Sequence, residues 1–382
     1  MALDPETRDQ LIGSVARFVR EELVPIEDEV ARNDRVPDAV IAQMRELGLF
    51  GLSIPVEYGG LGLTMEEEVL VCFELGKTSP AFRSVIGTNV GIGSQGIVMF
   101  GNAQQKDEWL PRIASGEVVA SFCLTEPGAG SDAASLKTLA IRDGGHYVVN
   151  GTKRYITNAA RAGMFTLMAR TNPGNKGAGG ISAFIVPSNL PGITVGRPER
   201  KMGQQGAHIH DVIFEDCCVP ADLMLGREGE GFKVAMQVLD RGRIHIAAVC
   251  VGVAERLIAD SVRYALEREQ FGQKIAEFQL IQAMLADSKT EAYAARCMVL
   301  DAARKRDAGE PVAMEASCAK LYASEMVGRV ADRAVQIYGG SGYVTDYGVE
   351  RFYRDVRIFR LYEGTSEVQK LVIAKNMLRS AQ

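Results

Sequence analysis

Hydrophobic positions along this chain change their period twice. From the N-terminus to about residue 115 they recur at helical spacing. "TMEEEVLVCFELGK" opens with Thr64 three residues ahead of Glu67, a capping-box pair, and closes at Gly76, where a helix would stop. "TSPAFRSV" predicts a restart, with Ser79 as N-cap and Pro80 at the first helical position, where a missing N–H costs nothing. From about 118 to 216 the runs shorten into strand-like segments, "VVASFCLT", "HYVVNGTKRYIT", "MFTLMAR", "ISAFIV" and "DVIFED". Asp143-Gly144-Gly145 and the glycine-rich "NPGNKGAGG" supply turns between them. From about 228 long amphipathic segments return, broken at "REQFGQK", "DAGEPVA" and "YGGSGYVTD", and four or five helices there predict a bundle. The expected fold class is α+β multidomain: a helical domain over 1–117, a central β-barrel or sandwich over 118–227 and a four-helix-type bundle over 228–382.

Composition narrows the classes that such a chain can join. With 47% hydrophobic and 24% charged residues it reads as globular, and its apolar runs are too short to span a bilayer. "MALDPETRDQ" has neither the basic flank nor the apolar stretch of an export signal, so the expectation is a cytoplasmic protein with no membrane contact. A net charge of −5, without a dense Lys/Arg stripe, argues against nucleic acid as a partner. Seven cysteines form no CxxC pair and read as reduced and structural. His208 and His210 would share one face of a strand, but no third ligand accompanies them, so no metal is expected.

Candidate chemistry begins at "LYEGTSEVQ", residues 361–369, where Glu363 stands between an aromatic residue and a Gly-Thr-Ser turn. A buried carboxylate resists ionisation, which is also how a protein makes a base that works near neutrality. The competing reading is a helix start capped by Thr365 or Ser366, with Glu363 merely near the positive end of the dipole. "GIGSQG" matches a dinucleotide fingerprint in letters only, since a helix rather than a strand precedes it; close helix packing explains its glycines better. "FCLTEPGAGSD" ends a strand in a loop that offers Thr125, Ser131 and main-chain N–H groups to a phosphate or flat polar ring, or is a structural turn. "KRYITN" adds an aromatic face and a hydroxyl. Arg268 with Phe271 in "EREQFGQ", and the glycines of "QIYGGSGYV", are helix ends unless something binds there. Arg83 is the only charged residue between Thr78 and Gln105, and arginine cannot shed its charge. It either reaches water at a helix edge or needs an anion from elsewhere.

Taken in order, "VEYGGLGL", "LTEPGAGSDAASL", "NGTKRYITN", "FEDCCVP", "LDRGRI", "REQFGQKIAEFQLIQ", "GGSGYVT" and "RDVRIFRLYEGTSEVQKLVIA" resemble the acyl-CoA dehydrogenase family across essentially the whole chain. The resemblance implies FAD held between the β domain and the bundle. Phe122, Leu124, Thr125, Gly130, Ser131, Tyr155, Ile156 and Thr157 would meet the flavin, with Tyr155 where the family usually has tryptophan. Arg268, Phe271, Gln279, Gln336, Gly339 and Gly340 would reach the FAD of a neighbouring subunit in a homotetramer built as a dimer of dimers, and Thr365 and Glu367 would help seat the cofactor. Ser131, Asp240, Arg243 and Gly364 fall at substrate-binding positions, although Asp240 and Arg243 also make an ordinary i,i+3 ion pair. Glu363 falls where most members place the base that takes the α-proton of the thioester; a minority place it at the position of Gly242. Electron-transferring flavoprotein is the implied acceptor.

Arg83 aligns with an arginine that grips the distal carboxylate in glutaryl-CoA dehydrogenase, while Gly87 replaces an assisting serine. The expected substrate is therefore a short acyl-CoA, with a glutaryl-like acidic end in view. Gln205, Ala207 and Ile209 depart from the family's loop before "FEDC", leaving His208 or His210 to compensate toward CoA. A flavin-dependent acyl-CoA lyase or desulfinase, and a non-catalytic scaffold, are the alternatives on the same fold; an intact Glu363 weighs against both.

Overall fold

A computed structural model describes residues 2–381. Seven helices precede the first strand: α1 (Pro5–Phe18), α2 (Glu27–Asn33), α3 (Asp38–Glu46), α4 (Met65–Leu75), α5 (Pro80–Val90), α6 (Gln95–Phe100) and α7 (Ala103–Ala114). The local rules hold where they were read. Thr64 and Glu67 form a reciprocal capping box on α4, and Ser79 caps α5 with Pro80 in its first turn.

The middle of the chain is one eight-stranded sheet. Its strands are β1 (Val119–Cys123), β2 (Leu139–Asp143), β3 (His146–Thr157), β4 (Ala162–Arg170), β5 (Ile181–Pro187), β6 (Ile193–Val195), β7 (Ile209–Pro220) and β8 (Met224–Leu225), in the order β6-β7-β3-β2-β4-β5-β8 with β1 on β4. The sheet curls on itself, because rings from strands that are not neighbours meet inside it: Tyr147 of β3 lies 5.1 Å from Phe184 of β5, and Phe165 of β4 lies 6.4 Å from Phe214 of β7. The outer face of β1, β4 and β5 packs on Ile97, Trp109 and Leu110 of the N-terminal helices. The glycines of "GIGSQG" serve this contact, since a Cβ on Gly93 would stand 2.8 Å from that of Ala120.

The bundle consists of α8 (Gly231–Glu267), α9 (Gln279–Asp307), α10 (Ala313–Tyr338), α11 (Val349–Val356) and α12 (Ser366–Ser380), with a small hairpin of β9 (Glu269–Gln270) and β10 (Gln273–Lys274) between α8 and α9. Its core takes in Met65, Val69, Cys72 and Phe73 of α4, so the N-terminal and C-terminal blocks share one interior. Two glycines permit the approach: a Cβ on Gly76 would stand 2.6 Å from the Val249 carbonyl and 2.9 Å from the Gly252 Cα. Glu27, 4% exposed, closes the other end. It accepts from the Thr78 hydroxyl and the Ser79 N–H at the start of α5, and from Arg256 of α8 and Arg351 of α11. That knot fixes α5, and with it Arg83, against the bundle.

Candidate active site

Glu363 lies in the turn between α11 and α12, in the left-handed backbone region at φ +53°. A residue with a Cβ is held there at a cost of about 1–2 kcal/mol, so its surroundings must enforce the conformation. Thr365 is the cap of α12 and accepts from Val368 N–H at 3.2 Å, so the helix-start reading describes Thr365 and leaves Glu363 outside it. Ser366 turns the other way and donates to Glu325 at 2.7 Å. Gly364, at φ +92°, takes a conformation reserved for glycine, and a Cβ there would press within 2.6 Å of Gln369 Nε2.

The Glu363 carboxylate lies over Gly242 of α8, and any side chain at 242 would collide with it. Its Oε2 is buried without a partner, and no acceptor meets the Glu363 N–H among the described residues. Burial pushes the carboxyl up from its ordinary value, and Arg83, then Lys320 and Arg243, pull it back. A carboxylate with one oxygen out of water, acted on by three cations and paired with none of them, is poised to exchange a proton.

Arg83 is internal, 8% exposed, and no carboxylate lies within ion-pair distance of it among the described residues. Its Nη2 donates to His245 Nδ1, and its Nε is buried with no partner. The other imidazole nitrogen must then carry the proton, and it meets Cys72 Sγ at 2.9 Å. Burial, with Arg83 and Arg241 alongside, holds His245 far below its usual range, so the ring is neutral. A Cβ on Gly87 would stand 2.7 Å from Arg83 Nη1; glycine is what lets the guanidinium fold along its own helix. Arg243 is buried too and pairs with Asp240 at 2.6 Å, the plain i,i+3 arrangement, while still acting on Glu363.

A second region surrounds the loop after β1. Thr125, Gly130 and Ser131 lie on its open side, and a Cβ on Gly128 or Gly130 would meet nothing within 4 Å. Tyr155, 53% exposed at φ +59°, and half-buried Thr157 flank it on β3. Phe122, Leu124 and Ile156 are buried in the two cores on either side of the sheet and can offer little beyond main chain. A third region is one end of the bundle, where Ala265, Ile275 and Ile337 make a small core. Arg268, Phe271, Gln279, Gln336, Gly339 and Gly340 are exposed around it. Glu367 is exposed at the start of α12.

His208 and His210 sit with rings 6.2 Å apart, but His208 pairs with Asp34 at 3.3 Å and His210 Nδ1 meets the Gly196 carbonyl at 2.9 Å. His208 joins the loop before β7 to Asp34, while His210, on β7 itself, leaves its Nε2 buried without a partner. No group of three or more potential metal ligands gathers among the described residues.

Several structural partners escaped the sequence. Lys320, fully buried, donates to the Gly364 carbonyl at 2.6 Å. Gln369 Nε2 donates to the Glu363 and Gly364 carbonyls at 3.1 and 3.0 Å. Glu126, within "LTEPGAGS", accepts from Lys153 Nζ at 2.8 Å and from the N–H groups of Lys137 and Thr138 at 2.6 and 2.9 Å, bracing the loop from behind. Lys320 had a visible signal: it is the lone charge between Glu315 and Glu325, the same mark that singled out Arg83. His245, Gln369 and Glu126 carry no such mark.

A three-block chain in which a half-buried, unpaired carboxylate and three cations meet at the junction of α5, α8 and α10 has the build of an enzyme that moves a proton. Models of the acyl-CoA dehydrogenase N-terminal, middle and C-terminal domains match residues 5–117, 121–217 and 229–378. The chain is 44% identical to an acryloyl-CoA reductase (NADH) of Anaerotignum propionicum over 98% of this chain and 95% of that one. It superposes on butyryl-CoA dehydrogenase from Megasphaera elsdenii with a TM-score of 0.95 at 37% identity, covering 99% of each chain. It superposes on an acyl-CoA dehydrogenase complexed with FAD from Bacillus anthracis with a TM-score of 0.91 at 35% identity, covering 100% of this chain and 69% of that one. The protein belongs to the acyl-CoA dehydrogenase family, oxidoreductases that act on CH–CH bonds.

Proposed function

We propose that this protein is an FAD-dependent dehydrogenase of short acyl-CoA thioesters, forming the 2-enoyl-CoA with Glu363 as the base. The observation that carries the reading is the buried, unpartnered Oε2 of Glu363 over Gly242. The donors fit the cofactor: hydroxyls of Thr125, Ser131 and Thr157 beside an exposed aromatic face border open space on the β domain, and Arg268 with two glutamines stands exposed on the bundle, as a ring and a diphosphate require. Because these two sets occupy different parts of one chain, we assign the bundle set to the cofactor of a neighbouring subunit in a homotetramer. Exposed Phe271, Leu280, Tyr343 and Leu371 supply apolar surface for that assembly. When bound, FAD supplies the acceptor for the β-hydrogen and its electron pair, and electron-transferring flavoprotein is the proposed outlet.

The chain's own part is to make a weak carbon acid give up its proton. The unengaged N–H of Glu363 polarises the thioester carbonyl, stabilising the enolate as charge develops. Gly364, with no Cβ to press on Gln369, lets the turn that carries this N–H form. Burial raises the proton affinity of the carboxylate toward what the step needs, while Arg83, Lys320 and Arg243 keep it ionised before reaction. Asp240 and Arg243 are assigned to the pantetheine arm. Anaerobic mixing of the purified protein with butyryl-CoA should bleach its flavin band. Glu363→Gln should keep the flavin and lose turnover by several orders of magnitude. A colourless protein sinks the cofactor, and near-normal turnover of the glutamine variant sinks the base.

One observation favours a narrower substrate. Arg83 is a buried cation with no carboxylate of its own, and it acts first among the cations on Glu363. An acyl chain ending in a carboxylate or sulfinate would supply the missing charge, so short acidic acyl-CoAs of the glutaryl or succinyl type are assigned as preferred substrates, with neutral short chains tolerated.

A further inference from the structure

The strain in the base turn has to be held by something, and helix α10 does so from behind. Lys320 reaches along the floor of the turn to the Gly364 carbonyl, with every side-chain atom out of water. Gln369, also fully buried, closes from the α12 side onto the same carbonyl and onto that of Glu363. Two carbonyls of a left-handed turn are thus fixed by two buried donors, one charged and one neutral.

A neutral donor suffices for a carbonyl, as Gln369 shows, and burying an ammonium carries a heavy desolvation cost. The cation therefore needs a reason beyond the hydrogen bond. Its surroundings give one. Burial pulls its ammonium down to about 8; against that, Cys250 and Glu363, then Glu325, favour the charge, and Arg243 opposes it. Of those neighbours the Cys250 thiol is held neutral by burial and Glu325 is engaged by Ser366 and Arg360, which leaves Glu363 as the charge that answers Lys320.

We propose that Lys320 is a positioning residue for the reaction: it pins the Gly364 carbonyl, and through it the left-handed turn of Glu363, and its ammonium is the fixed countercharge that keeps the Glu363 carboxylate ionised until substrate arrives. The proposal rests on Glu363 being the base. It differs from a purely structural lysine in predicting two separable effects, one from the hydrogen bond and one from the charge.

Lys320→Met removes both, and Lys320→Gln keeps a donor but not the charge. Flavin content, kcat and KM for butyryl-CoA across pH, and hydrogen exchange of residues 361–369 in flavin-free protein separate them. Lys320→Met should lower kcat per flavin on the order of 10²-fold with little change in KM, as expected when a reacting group is misplaced by a fraction of its reach. Its 361–369 segment should exchange faster, and the acid limb of kcat/KM should move to higher pH because a cation that favoured the carboxylate is gone. Lys320→Gln should restore exchange protection and part of kcat while the acid limb stays moved. Wild-type kcat and an unmoved limb in Lys320→Met, or a loss that tracks only folded and flavin-loaded protein, overturns the proposal. Glu363→Gln run alongside keeps the two ideas apart: if it turns over normally the base assignment fails, and if it is dead while Lys320→Met is normal only the lysine assignment fails.

Discussion

Helices α4 and α8 cross in rungs one helical turn apart, and the first two rungs treat a buried arginine in opposite ways. At the first, Glu68 of α4 meets Arg241 of α8; both are buried, and Met65 Sδ takes another guanidinium nitrogen at 3.2 Å. At the second, the i+4 positions Cys72 and His245 meet, and the far side of the imidazole holds Arg83 from α5. A carboxylate cancels Arg241. A neutral imidazole orients Arg83 and leaves its charge intact. The third rung, Gly76 against Val249 and Gly252, brings the helices close enough for both. The contrast separates a cation used for cohesion from one whose charge no carboxylate cancels among the described residues.

The largest effect should come from breaking the closed rung. Glu68→Gln leaves Arg241 buried without its countercharge and should cost roughly 3–5 kcal/mol of stability by denaturant unfolding. The measurement belongs at pH 8, above the value of about 7 to which burial pushes Glu68. Arg83→Met, which removes a cation that was never cancelled, should cost far less or stabilise. Equal losses would erase the distinction.

The open rung should answer to substrate instead. Arg83→Met is expected to lower kcat/KM for glutaryl- and succinyl-type CoA by on the order of 2–5 kcal/mol of transition-state energy and to spare butyryl- and isobutyryl-CoA. In the neutral series its acid limb should shift upward, since the foremost cation opposing burial at Glu363 is removed. Equal losses on acidic and neutral substrates would reject an anion grip. His245→Leu should produce a weaker version of the same selectivity, about 1–3 kcal/mol on acidic substrates, by orphaning the guanidinium. His245→Gln offers Arg83 a neutral acceptor again and should restore the preference; no restoration would mean the imidazole acts through packing alone.

These two rungs also show what the amino-acid order discloses. Helix caps such as Thr64 with Glu67, and Ser79 with Pro80, were legible because each is made within one turn of chain. The two changes of period marked the blocks, but the sheet order was not legible, because the parallel pairing of β1 with β4 joins residues some forty positions apart on no local signal. Glu363 and Arg83 stood out as charges in apolar surroundings, and the structure places both beside α8. Of their keepers, Lys320 alone carried the same mark, and neither keeper's role was legible. His245 is 162 residues from Arg83 and Lys320 is 44 from Gly364, so their roles exist only after α8 and α10 have packed. Gly76 read as a helix stop, and its second use, at the crossing with α8, is tertiary.

The smallest effect reverses the sign found at Glu68. Glu363→Gln should stabilise the folded protein at neutral and alkaline pH. Burial raises the Glu363 carboxyl above the ordinary 4.5, so the unfolded chain releases this proton first as pH climbs. Wild-type stability is therefore unaffected below that ordinary value, falls as pH rises from it to the raised folded value, and stays reduced beyond. Glutamine has no proton to lose and fills nearly the same space, so the melting temperatures of the two proteins should coincide in acid and part as pH rises, glutamine the higher. Burial raises Glu68 too, so the loss expected of Glu68→Gln comes from Arg241, left without the carboxylate it touches, and not from the glutamate's own proton. Glu68 is fully buried and Glu363 is half-buried with its Oε2 out of water, and they differ in what faces them: Arg241 in direct contact at one, three cations held off the carboxylate at the other. A melting difference at Glu363 that is flat with pH would show a solvated carboxylate, and with it the turn would lose the burial of Oε2 on which its proposed role as a base depends.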